Sequence, residues 1–213
     1  MKNYIIICLF LVGLVSWPAF GNRLPEKWEP GVIHLHGESL RGDVSYDPKL
    51  DVVFRKAEGK IQTFTPQTVH HFEIYDAATG LTRTYSSLFH EKTTSRDHKA
   101  FYEVVAEGDL TLVQKGEFVS RPRPQGKYHR VHNKIRDSHQ KPEIVYSNYL
   151  VLQAVPQKIT DFQRQVLPLM HDLEEEMGEF MQRENLDLGK AQNHIRIINH
   201  SNYLKRGFLS STN

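Results

Sequence analysis

Gly31-Val32-Ile33-His34-Leu35-His36-Gly37-Glu38-Ser39-Leu40-Arg41-Gly42-Asp43-Val44-Ser45-Tyr46 alternates with period two on both sides of a Gly-Glu break. Ile33 and Leu35 share one face of an extended chain, and Leu40, Val44 and Tyr46 share a face with Gly42. Half-buried strands alternate in this way. A break as short as Gly37-Glu38 joins two strands that run antiparallel, because parallel strands need a long crossover.

The same reading extends outward to about Val155. Leu50, Val52 and Phe54 form one face, followed by Ile61 and Phe64. Phe72 and Ile74 alternate with His71, Glu73 and Tyr75. Leu81 to Tyr85, Phe101 to Val105, Leu110 to Val113 and Ile144 to Leu152 complete the extended segments. The breaks Asp47-Pro48, Glu58-Gly59, Ala78-Thr79-Gly80 and Glu107-Gly108 are turn chemistry. His90 to Lys99 reads as a polar loop, and Gly116 to Lys141 as a long excursion.

After Pro156 the period becomes helical. Ile159, Phe162, Val166, Leu169, Leu173, Met177 and Phe180 recur at three and four, with Thr160 or Asp161 available as a cap. Pro168 breaks or kinks this run, or starts a new helix. The pattern predicts a short helix to about Leu167, a second to about Glu184, and a third from Gly189 to about Leu204 with Ile195, Ile198 and Leu204 as its stripe. The expected fold is α+β: an antiparallel β-meander of about eight strands over residues 22–157, two or three helices packed on it over 158–204, and a frayed tail over 205–213.

Residues 1–21 read as a cleavable secretory signal peptide. Lys2 gives a positive start, Tyr4 to Val15 an apolar run, and Ala19 and Gly21 the small residues before a cleavage that leaves Asn22 first. The apolar run is short for a membrane span, and nothing later in the chain is long and apolar enough to be one. Cys8 is the only cysteine, and the isoleucines before it argue against lipidation. The mature chain of about 190 residues therefore has to be held by its core alone, without a disulfide. Export without cysteines suits a bacterial periplasm, cell surface or secreted location.

Without Lys2, 26 basic residues stand against 25 acidic ones, a net of +1 that exerts no long-range pull on nucleic acid. The charge is unevenly spread. Asp172 to Glu184 holds six acids and one base, Arg183. Between Arg121 and Lys141 there are seven basic residues and one acid. Arg121, Arg123, Lys127, Arg130, Lys134 and Arg136, mixed with Tyr128, His129 and His132, are the candidate contacts for an anionic envelope component. A solvated loop, or docking on the acidic stretch, would account for the same residues.

The twelve histidines invite a metal reading. His34 and His36 share the strand face opposite Ile33 and Leu35, and His71 lies on an outward face beside Glu73. A zinc site needs these to converge from separate strands, and solvated surface histidines are the plain alternative. His34-x-His36 with Glu38 is similar to cupin metal sites in residue type, but Glu38 follows too soon and sits on a turn. Arg41-Gly42-Asp43 matches an integrin-binding tripeptide yet falls inside a strand, and the sequon Asn199-His200-Ser201 falls inside a helix. Gly-x-Ser-x-Gly, His-Glu-x-x-His, paired cysteines, phosphate-binding glycine loops and dinucleotide fingerprints are all lacking, so no cofactor is expected.

The glycine and apolar spacing of Gly31 to Tyr46, with Thr65-Pro66 before Val69, Phe72 and Asp76, resembles a family of exported proteins of Bacteroidota-type bacteria with no established activity. Glu184-Asn185-Leu186-Asp187-Leu188, then Ile195, Ile198 and Asn202, look like that family's helical tail, except that His200-Ser201 stand where paired tyrosines are usual. The resemblance covers most of the mature chain. It implies a shared fold and no chemistry. The leading expectation is a non-enzymatic exported envelope protein acting as a binding or structural module. The rival is a histidine-dependent metalloenzyme or hydrolase.

Overall fold

The computed structural model describes residues 25, 27–90, 98–119 and 143–211. Residues 1–24, 26, 91–97, 212–213 and the basic stretch 120–142 lie outside the described residues. The fold is α+β with one antiparallel sheet followed by helices. Its strands are β1 (Glu29–Leu35), β2 (Ser39–Asp47), β3 (Val52–Ala57), β4 (Lys60–Phe64), β5 (Val69–Asp76), β6 (Leu81–Phe89), β7 (Lys99–Ala106), β8 (Thr111–Val119), β9 (Glu143–Leu152) and β10 (Val155–Lys158). The helices are α1 (Phe162–Gln165), a 3-10 segment (Leu167–Leu173), α2 (Glu174–Arg183) and α3 (Ala191–Ser211).

Three details of the sheet differ from the sequence expectation. There are ten strands rather than about eight. The strand with no counterpart among the extended segments named above is β10, whose Pro156 is tolerated because an edge strand need not donate every backbone N–H. Gly116 to Val119 belong to β8 and pair with β9, so they are strand and not part of the excursion. The order β10-β9-β8-β7-β6-β5-β1-β2-β3-β4 is also no simple meander. β1 lies between β2 and β5 and joins a four-strand meander, β1 to β4, to a six-strand one, β5 to β10.

That order forces the sheet to curl. The link from β4 to β5 is only Thr65 to Thr68, yet β5 lies four strands away from β4. On a flat sheet that distance is about 19 Å, more than the roughly 17 Å that five extended steps reach. Curling folds β2 over β5, β6 and β7. The Tyr46 ring then meets Phe72 at 5.5 Å, Tyr85 at 5.0 Å and Phe101 at 5.9 Å. Ile33, Val44, Val53, Val69, Phe72, Ile74, Tyr85 and Phe101 are buried inside the curl. The phase of β3 is displaced by one residue from the expectation: Val53 is buried and Leu50 is exposed. Asp51 causes this, because its φ of +54° resets the alternation.

The opposite face of β7 to β9 holds Ala100, Tyr102, Val113 and Tyr149. The helices cover Ala106, Leu110, Leu112 and Leu150 with Phe162, Val166, Met170, Leu173, Met177, Ile197 and Ile198. Asp161 caps α1 by accepting from the Arg164 N–H at 3.1 Å. Pro168 opens the 3-10 segment, and the kink at Met170 turns Met170 inward where the period had placed Leu169. α3 runs past Leu204 to Ser211, and the first residues beyond Leu204 are held: Lys205 pairs with Asp109 and Asp172, and Arg206 donates to the Glu107 carbonyl. Three Glu, 174 to 176, form the first turn of α2, where the helix dipole favours them.

Polar residues are buried along α3 beside Ile197 and Ile198. His194 stacks on Phe162 at 4.1 Å and bonds the Leu188 carbonyl at 2.7 Å. Asn202 bonds both backbone groups of Leu110. Ser201 Oγ is fully buried and has no partner among the described residues. Its desolvation is uncompensated, so Ser201→Ala should stabilise the fold by about 1 kcal/mol. A thermal melt should then show a rise of about 3 °C for a chain of this size. A lower melting temperature would mean that the hydroxyl has a partner.

Candidate functional site

Two places gather chemistry-bearing side chains. The first is the outer face of β1 and β5. His34 and His71 are register partners on these strands, and their rings stack with centroids 4.1 Å apart and planes at 11°. Glu73 lies two residues further on the same face. One ligand atom each from His34, His71 and Glu73 falls within 4.8 Å of the other two.

A β-bulge assembles this cluster. His34 pairs with His71 while Leu35 pairs with Val69, so His70 is an extra residue in β5. Val69 and Phe72 are both fully buried although three apart, which regular alternation forbids. The bulge absorbs the phase change and turns His70 and His71 to the same side, with their Nδ1 atoms 2.8 Å apart. His36 lies beyond the end of β1 and meets His70 edge-on at 6.2 Å, outside the three-ligand group. Partial burial, then the neighbouring His34 and His70, hold the His71 pKa below the ordinary imidazole value, with Glu73 opposing. Ser39 is the register partner of His34 across the β1–β2 hairpin, and its Oγ lies 2.8 Å from His34 Nδ1.

The second place is a cleft of about 230 Å³ where the curl brings β2 toward β6 to β9. Tyr46, Tyr85, Phe101 and Tyr146 give it aromatic walls; Arg83, Glu103, Gln114 and Lys115 give it polar groups. Glu103 accepts two bonds from Arg83, at 2.7 and 2.8 Å, a bidentate pair that fixes both side chains. Glu103 is also the main cause that raises the Arg83 pKa. Lys115 is held by Asp51 at 3.0 Å and Lys27 by Glu29 at 2.6 Å. Each cation of the cleft therefore has its own carboxylate. The described lining includes Ser45 but no histidine to activate it.

Of the candidate metal residues, the structure brings His34 and His71 together and leaves His36 at the edge. The six basic candidates, Arg121, Arg123, Lys127, Arg130, Lys134 and Arg136, lie outside the described residues. The flanks of that segment are described: Val119 and Glu143 pair at the end of the β8–β9 hairpin, three register steps from Gly116 and Tyr146 of the cleft. Arg41-Gly42-Asp43 sits inside β2 and not at a loop tip, and the sequon lies within α3 with Ser201 buried. Sequence reasoning missed His70 because a bulge has no composition of its own. It missed Asp51, Arg83 and Glu103 because their pairing is long-range. Among the described residues no helix is long and apolar enough to cross a membrane, which leaves β-barrels unaddressed. No protein-family model, no curated protein and no solved structure matches the chain.

Proposed function

We propose that this chain is a non-enzymatic binding module of the bacterial envelope that holds an acidic glycan, taking one sugar unit in the cleft. The observation that carries this reading is the cleft lining. Aromatic walls with a few fixed polar groups are what small polar ligands need. A volume of about 230 Å³ suits one unit of a polymer better than a large cofactor. The seven basic residues between Arg121 and Lys141 support an anionic partner, and in the sequence they link β8 to β9, the strand that supplies Tyr146. The leader-like residues 1–21 and the resemblance to exported Bacteroidota-type proteins support an envelope location. The rival reading, a metalloenzyme or hydrolase, would want its histidines beside a cavity, and none of His34, His36 and His71 lines this one.

Retention of the mature chain on immobilised polygalacturonate tests the proposal. Replacing Arg121, Arg123, Arg130 and Arg136 with Gln should abolish retention. If these arginines serve binding and not folding, the melting temperature should stay within about 2 °C. Retention by the wild type should fall steeply with salt, since screening acts over roughly 8 Å at physiological ionic strength. Tyr146→Ala, at a cleft position 52 % exposed, should weaken retention without unfolding the protein. A drop of many degrees in the arginine variant would make the segment structural, and unchanged retention in both variants would defeat the proposal.

A further inference from the structure

We propose that His34, His71 and Glu73 form a zinc site on the outer face of β1 and β5, separate from the cleft. Two imidazoles and one carboxylate are a donor set that borderline divalent cations select, whereas magnesium and calcium prefer oxygen alone. Ligand atoms around a tetrahedral zinc at 2.0–2.1 Å stand about 3.4 Å apart. The three here already lie within 4.8 Å of one another. To aim both imidazole nitrogens at one ion, the rings have to turn out of their near-parallel stack, whose planes now lie at 11°.

The neighbours are arranged as outer partners of metal ligands are. Ser39 Oγ lies 2.8 Å from His34 Nδ1, and His70 Nδ1 lies 2.8 Å from His71 Nδ1. With each ligand's Nδ1–H donated to its neighbour, both Nε2 lone pairs are left for the cation. Such second contacts select the tautomer of a ligating histidine. The bulge at His70 provides one of them. The extra residue falls between the last two register pairs of the β1–β5 ladder, and bulges gather where a side chain has to be re-aimed. Three protein ligands leave a fourth position for water.

The site has its own test, independent of glycan retention. The full mature chain is titrated calorimetrically with zinc chloride and, separately, with magnesium chloride. One zinc per chain should bind, with magnesium weaker by more than about 100-fold. His34→Gln, His71→Gln and Glu73→Gln should each weaken zinc by more than about tenfold, and Ser39→Ala by about tenfold, the lower end of the range for outer partners. His171→Ala, at an exposed histidine on the 3-10 segment, should bind as the wild type does. Zinc should raise the melting temperature of the wild type and leave that of the triple Gln variant unmoved, which separates lost binding from lost folding. Equal zinc affinity in the wild type and the triple variant, or equal response to magnesium, would overturn the assignment.

Discussion

Asn202→Leu should lower the melting temperature by about 10 °C. Asn202 is 3 % exposed and its amide bridges both polar groups of Leu110: Oδ1 accepts from the Leu110 N–H at 3.0 Å, and Nδ2 donates to the Leu110 carbonyl at 2.8 Å. A leucine fills the volume and satisfies neither group. Each buried unsatisfied group costs about 1–3 kcal/mol, so the pair should cost roughly 3 kcal/mol. At about 2–4 °C per kcal/mol for a chain of this size, that gives the expected shift. Gly108 supplies a second handle. A Cβ there would stand 2.6 Å from Asn202 Cγ, so Gly108→Ala should push the amide off its partners. Asn202→Ala would make room for that methyl, and the double variant should therefore lose less than the two single losses together. Strict additivity would show that the two residues act separately, and a melt of Asn202→Leu within about 2 °C of the wild type would mean that the bridge contributes little.

Residues such as Asn202 mark the limit of what the chain shows on inspection. The strand pattern was legible because half-burial imprints period two: Phe72 and Ile74 are buried while His71 and Glu73 face outward. Turn glycines were legible in part. Gly80 does supply a positive φ, of +71°, but Gly108 is needed instead for the close approach of Asn202. Phase errors arose where backbone geometry rather than side-chain type decides, at Asp51 before β3 and at Met170 in the 3-10 segment. β10 escaped notice because four residues ending at a helical run carry almost no periodicity. The partner of β1 was out of reach. Pairing of β1 with β5 joins residues about forty apart, and local alternation is the same whichever strand lies alongside. For that reason the sequence could nominate His34 and His71 but could not say that they face each other.

The acidic run Asp172 to Glu184 illustrates the same point for charge. Composition marks it as a possible dock for the basic excursion. In the fold, Asp172 is engaged by Lys205 at 3.3 Å and Glu184 by Arg196 at 2.8 Å, while Glu174, Glu175 and Glu176 occupy the favourable start of α2. These local roles account for much of the run.

Asp51→Ala should cost about 3 kcal/mol and, unlike Asn202→Leu, should also impair the cleft. Asp51 stands between β2 and β3 and reaches across the curl. Its Oδ1 accepts from the Tyr46 hydroxyl at 2.8 Å and from the Phe101 N–H at 3.3 Å, and its Oδ2 pairs with Lys115 at 3.0 Å. Burial, then Asp51 itself, pushes the Tyr46 phenol well above its ordinary pKa, so it remains a donor at physiological pH. Alanine removes all three contacts. The Lys115 side chain is 14 % exposed, so its lost partner matters more than at the surface, though less than the 3–5 kcal/mol of a fully buried pair. Asp51→Asn separates the contributions. Asparagine tolerates the φ of +54° and keeps an acceptor for Tyr46 and Phe101, losing only the charge opposite Lys115. Thermal melts should therefore rank the wild type above Asp51→Asn and Asp51→Ala lowest, about 10 °C below the wild type. Because Tyr46 and Lys115 both line the cleft, Asp51→Ala should weaken retention on polygalacturonate at a temperature where the protein is still folded. Asn202→Leu, acting at the helices, should not. If Asp51→Ala melts as the wild type does, the curl is held by Tyr46, Phe72, Tyr85 and Phe101 packing alone, and the carboxylate is incidental to it.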